Sequence, residues 1–143
     1  MWALLVWVKL ARDPRMKGII DMPDPKQLLQ INLHQVFAER DPDKRRAAID
    51  QAYAEDVKFI DPEGEGVGRE AINSSAQKLL DGAPAEFAFE EDSPRYVSAE
   101  TAALAWRFGP PDAPVARGID ILTVRGGRVS VLRTLLASEG TSA

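Results

Sequence analysis

The chain has 143 residues, 45% hydrophobic and 28% charged, with a net charge of −4 at pH 7. That length and balance suit one water-soluble globular domain with a core of useful size. The acidic balance argues against a nucleic-acid partner, because no basic surplus exists to neutralise phosphates. Cysteine is absent and histidine occurs once, as His34, so disulfides and thiolate sites are excluded and a histidine metal centre has no support. No glycine-rich phosphate loop precedes a helix, and neither a metal nor a cofactor is expected.

Residues 1–8 are apolar and rich in tryptophan, but the run is far too short to span a bilayer. It has no charged n-region and no small-residue cleavage site follows it, which argues against a signal peptide. No membrane contact and a cytoplasmic location are therefore expected. Met22-Pro23-Asp24 reads as a second start. Residues 1–22 are expected to be an extension, either an upstream start or a docking arm whose Trp2, Leu4, Leu5 and Trp7 pack on a partner subunit. Residues 23–138 form the domain and residues 139–143 a tail.

Asp24-Pro25-Lys26-Gln27 has the form of a capped helix start. Leu28, Leu29, Ile31, Leu33, Val36 and Phe37 follow at helical spacing, to an end near Arg40. Asp41-Pro42-Asp43 opens a second helix over residues 44–53, on which Lys44-Arg45-Arg46 reads as a solvated face. A short strand at 57–60 ends in Asp61-Pro62, a loop covers 62–66, and a third helix covers 68–80. From Ala85 onward the period changes to two. Strands are expected at 85–90, 95–98, 101–108, 115–124 and 128–136, the last two joined by a tight turn at Gly126-Gly127. Helices followed by antiparallel strands indicate an α+β fold.

Two acids stand out in this pattern. Asp61 closes the apolar run Val57-Lys58-Phe59-Ile60, and Asp120 lies inside Gly118-Ile119-Asp120-Ile121-Leu122. A carboxylate is costly to bury in its charged form, and burial raises its pKa into the range useful for acid–base work. Plainer roles exist for both. Asp61-Pro62 is a common strand-ending turn, and Asp120 has Arg117 and Arg133 nearby in sequence as ion-pair partners. Trp106 and Phe108 share a face with Ala102 and Leu104 and suit a core as well as a pocket. His34 lies at the border of the helical apolar stripe, where a half-exposed residue is the ordinary outcome.

Tyr53-Ala54-Glu55-Asp56-Val57-Lys58-Phe59-Ile60-Asp61-Pro62, then Gly68-Arg69-Glu70-Ala71-Ile72, resembles the NTF2-like superfamily in its SnoaL-like and ketosteroid-isomerase-like branch. The segment from Gly118 to Val129 resembles the same branch, as a strand with a central Asp and a hairpin to the last strand. The resemblance implies a cone of three N-terminal helices packed on a curved antiparallel sheet that encloses a pocket. It implies a homodimer, a small hydrophobic molecule as ligand, and cofactor-independent proton transfer. Asp61 then falls at the general base and Asp120 at the acid or oxyanion donor. His34, Tyr53, Trp106 and Leu122 are the residues expected around the substrate. The first helix carries no tyrosine where such isomerases keep an oxyanion donor; Leu33 is there, with His34 beside it, and Ala76 replaces a second tyrosine on the third helix. Polyketide cyclases or dehydratases using Asp120 alone, and non-catalytic binding or dimerisation modules, share the fold.

Overall fold

The computed structural model describes residues 22–138, and the expectations for residues 1–21 and 139–143 lie outside them. Helix α1 spans Pro25–Gln30 and opens with the expected capping box. The Asp24 amide donates to Gln27 Oε1 at 2.8 Å, and the Gln27 amide donates to Asp24 Oδ1 at 2.8 Å. The helix then widens into a π-helical stretch, Ile31–Phe37, which buries Ile31, Asn32, Leu33, Val36 and Phe37. An ordinary α-helical period would not turn three consecutive residues inward so evenly.

Asp41 caps α2, Pro42–Ala52, by accepting from the Asp43 and Lys44 amides. Arg45 departs from the solvated face read in the sequence, because it is fully buried. Its guanidinium donates to Asn73 Oδ1 at 2.9 Å, to the Glu39 carbonyl at 2.6 Å, and to Gln77. These neutral oxygens let the cation bridge the end of the first helix, α2 and α3.

Strand β1, Tyr53–Asp61, begins directly at the end of α2 and pairs with β2, Gly64–Val67. The glycine-rich stretch expected as a loop is therefore half of a hairpin. Helix α3 is Arg69–Asp81. Then follow β3 (Ala88–Glu91), β4 (Tyr96–Val97), β5 (Thr101–Gly109), β6 (Ala116–Arg125) and β7 (Arg128–Leu136). Gly126 and Gly127, with φ of 57° and 76°, make the turn between the last two strands, where both central residues need positive φ.

The strand order is β2-β1-β7-β6-β5-β3, with β4 also on β5. Two expectations need correction. The third helix is not N-terminal to the sheet, because the β1–β2 hairpin precedes it. The sheet is not wholly antiparallel, because β1 runs parallel to β7. These strands are joined through the rest of the domain rather than by a hairpin, so no turn dictates an antiparallel direction. Register shifts between Tyr53 and Lys58 and between Thr123 and Val124 bend the sheet.

The faces follow the period-two pattern. Ala102, Leu104, Trp106 and Phe108 on β5, and Gly118, Asp120, Leu122 and Val124 on β6, all point inward. Ile119 and Leu135 lie exposed on the outer face. Gly118 pairs with Trp106 across the strands, and the indole lies over it. A Cβ added at Gly118 would stand 2.5 Å from Trp106 Cζ2 and 2.5 Å from the Leu135 carbonyl oxygen. Gly118→Ala is expected to lower stability by about 1–3 kcal/mol through overpacking. Urea unfolding measures it, and an unchanged midpoint would show that the indole does not need this space.

Candidate active site

Asp120 sits in the middle strand of the β5–β6–β7 trio with only 6% of its surface exposed. Its partners come from both neighbouring strands and from the helix above. Oδ1 accepts from the Trp106 indole N–H at 3.0 Å and the Thr134 hydroxyl at 2.8 Å. Oδ2 accepts from Asn32 Nδ2 at 2.7 Å. Thr134 stands directly opposite Asp120 on β7, and Trp106 reaches it diagonally from β5. The arginines that could have paired with Asp120 do not. Arg117 and Arg133 are exposed, and all three hydrogen-bonding partners of the carboxyl are neutral.

Burial pushes the Asp120 carboxyl above its ordinary value, and the bonds from Trp106, Thr134 and Asn32 partly offset that rise. The indole and the amide N–H groups can only donate, so the shell is built to receive an anion. Oδ1 holds two donors and Oδ2 one. An acceptor position on Oδ2 is thus left without a protein partner among the described residues.

Asp120 lines a cavity of about 520 Å³, within the size range of small-molecule sites. Its walls are largely apolar, with Phe37, Phe59, Phe89, Trp106 and Phe108 among the lining residues. The edge-on contact of Phe89 with Trp106, centroids 5.4 Å apart, fixes part of this wall. Asp61, Glu63, Ser75 and Lys78 supply polar groups to the lining.

Asp61 therefore shares one cavity with Asp120. It also makes the turn its sequence suggested, since Oδ1 accepts from the Glu63 amide at 2.9 Å and the Gly64 amide at 3.1 Å. Oδ2 has no hydrogen-bond partner among the described residues.

The other expected residues divide. Trp106 lines the cavity and also holds Asp120. Leu122 is fully buried in the core and is not among the lining residues. Tyr53 is likewise fully buried away from the lining, and its hydroxyl donates to Asn32 Oδ1. Burial, and next the charge of Asp120, push the Tyr53 phenol well above its ordinary value and keep it protonated. Leu33 does line the cavity, so an alkyl group stands at the position compared with the isomerase tyrosine.

His34 turns away from the cavity lining towards β3, where Nε2 lies 2.7 Å from Glu91 Oε2. Arg95 clamps the same carboxylate through Nε at 2.9 Å and a terminal nitrogen at 2.7 Å. The Arg95 hydrogen bond, helped by His34, lowers the Glu91 pKa to about 2 against the cost of burial. The sequence reading missed Asn32 altogether and missed Thr134 as an Asp120 partner. Asn32 had a signal, as a polar residue set four positions from both Leu28 and Val36 in the buried stripe.

Glu91 also carries a testable pH dependence. Its folded pKa lies below the ordinary 4.5, so its stabilisation is complete above that value and disappears as pH falls through about 2. Glu91→Gln is expected to lower stability at neutral pH and to flatten the acid loss between those values. Urea unfolding at stepped pH measures this, and an unchanged acid slope would remove Glu91 from the account.

A family model for the SnoaL-like domain matches residues 32–132. Among solved structures, a candidate isomerase of the SnoaL-like family from Agrobacterium tumefaciens superposes with a TM-score of 0.72 at 24% identity, covering 80% of this chain and 97% of that one. A candidate ketosteroid isomerase from Kribbella flavida gives a TM-score of 0.61 at 16% identity, over 83% and 82% of the two chains. A candidate SnoaL-like polyketide cyclase from Jannaschia gives 0.62 at 14% identity, over 80% and 88%. No curated protein matches the chain. The matched segment runs from Asn32, beside the cavity, to Leu132 in the last strand, and so takes in both acids: the chain belongs to the SnoaL-like family.

Proposed function

We propose that this protein is a proton-transfer enzyme that acts, without a cofactor, on a hydrophobic carbonyl compound held in the apolar cavity. The observation that carries the reading is Asp120, a buried carboxyl with three neutral donors and one unpartnered oxygen position, lining that cavity. Burial raises the pKa of this acid, which makes it readier to hold and hand over a proton than an exposed carboxyl. The apolar walls favour an apolar body, which on binding displaces water from around Asp120 and strengthens the hydrogen bond it makes to a substrate oxygen.

In the isomerase form of the reaction, Asp61 takes the proton from the carbon next to the carbonyl. The C–H electron pair moves into the carbonyl and an enolate forms. Protonated Asp120 donates a hydrogen bond to the enolate oxygen. Asp61 then returns the proton to a different carbon, and the double bond has moved. A second form rests on the turn made by Asp61 Oδ1, which gives that residue a structural task. In it Asp120 alone is base and acid: as the carboxylate it takes the proton from the carbon next to the carbonyl, and as the acid it gives that proton to the oxygen of the newly closed ring, as in a cyclase, or to a hydroxyl that departs as water, as in a dehydratase. Leu33 in place of a phenol weighs against fast steroid isomerisation, because one oxyanion donor is worth a factor of about 10² to 10³. A homodimer through the outer sheet face, where Ile119 and Leu135 are exposed, and a cytoplasmic setting complete the proposal.

Exchange of the α-protons of β-tetralone in D2O, followed by proton NMR, tests it, with a β,γ-unsaturated ketosteroid as second probe. The wild-type protein is expected to accelerate exchange, and Asp120→Asn to lower the rate by about 10²-fold or more while remaining folded. A similar loss in Asp61→Asn supports the isomerase form. Full activity in Asp61→Asn supports Asp120 acting alone. Binding of both probes without any exchange would overturn the catalytic reading and leave a ligand-binding module.

A further inference from the structure

The polar chain behind Asp120 does not touch the cavity. Asn32 is 1% exposed and Tyr53 fully buried, and neither is among the lining residues. Yet each heteroatom of the Asn32 side chain is committed, Oδ1 to the Tyr53 hydroxyl and Nδ2 to Asp120 Oδ2. A buried amide in an apolar helix stripe costs stability unless such bonds are made. It lies in the π-helical stretch, between the buried Ile31 and Leu33.

We propose that Asn32 is a positioning residue for Asp120, held in orientation by Tyr53, which selects the oxygen that Asp120 offers to the cavity. This rests on the acid–base reading of Asp120. The two ends of an amide differ, one accepting and the other donating. Tyr53, as a donor, takes the accepting end and so turns the N–H groups towards the carboxyl. With Trp106 and Thr134 on Oδ1, the bond from Asn32 fills one side of Oδ2 and leaves the other side for a ligand. Asn32 thereby fixes the carboxyl plane while standing outside the volume a substrate would fill.

Removing the amide donor should weaken the anion of Asp120 and leave substrate binding alone. The titratable groups that share its surroundings are few. Tyr53 lies behind it, and Asp61, Glu63 and Lys78 line the same cavity. His34, on the same helix, is directed to Glu91 instead.

The test uses the full chain, selectively labelled at the aspartate carboxyl carbons, and reads the Asp120 titration by carbon NMR in three variants. Asn32→Leu removes the amide, Asn32→Ala removes it with a smaller side chain and no new charge, and Ile49→Ala weakens the core away from the cavity lining. The expected result is an upward move of the Asp120 midpoint in both Asn32 variants and none in Ile49→Ala. With β-tetralone, kcat for exchange should fall about tenfold or more in Asn32→Leu while KM stays within about twofold. An Asp120 midpoint equal to wild type in the Asn32 variants would overturn the proposal. If Asn32→Leu fails to fold, the uncharged Asn32→Ala decides. The titration needs no turnover, so a wild type inert towards the probe defeats the proposed function while the midpoints still judge Asn32.

Discussion

A carboxyl group in the middle of an apolar sheet has to be compensated by its surroundings, and in this protein the compensation is made without a cation. Asp120 accepts from an indole, a hydroxyl and an amide, each on a different element. Neutral donors stabilise the anion without pinning it, as a buried arginine would. The carboxyl keeps a pKa raised by burial and remains able to gain or lose a proton. Most of the local architecture can be traced to this arrangement. Trp106 reaches Asp120 because Gly118 leaves room for the ring. Asn32 reaches it from the π-helical stretch that follows Gln30. Thr134 is placed by the antiparallel register of β6 and β7.

The same elements keep the helix and sheet in position from outside the cavity. His34, Glu91 and Arg95 tie the π-helical stretch to β3 and to the segment after it. Arg45 ties the end of that stretch to α2 and α3 through neutral oxygens. Two of the polar residues that attract notice in the sequence therefore serve to hold the cavity's frame. The polar residue that escaped notice, Asn32, stands directly against the candidate acid.

Much of the fold could be read from periodicity and end signals. The capping box at Asp24 and Gln27, the turn at Gly126-Gly127 and the inward set on β5 all have local causes, and each is found in the structure. Features that depend on distant partners could not be read this way. The parallel pairing of β1 with β7 joins segments far apart in sequence, and β2 is a strand only because β1 lies beside it. The candidate site shows the same division. Asp120 was conspicuous because a charged residue interrupts an apolar strand. Its partners were harder to read: Trp106 was expected beside the substrate and not as a donor to Asp120, Asn32 showed only as a polar residue in the buried stripe, and the convergence of both with Thr134 comes from tertiary register. Tyr53 and Leu122 were placed near a ligand by analogy of position, yet the end of α2 and the close packing under β6 carry them into the core.

The chemistry proposed for the cavity depends on the protonation state of Asp120. Carbon NMR of Asp120 in the wild-type chain, followed from acid to neutral pH, measures it directly. The account predicts a midpoint above the ordinary carboxylate range, where the buried group changes charge while its three donors stay in place. A midpoint at or below the ordinary value would mean that the donors outweigh burial. Asp120 would then be a fixed anion that holds the sheet and helix together, and no acid for a substrate.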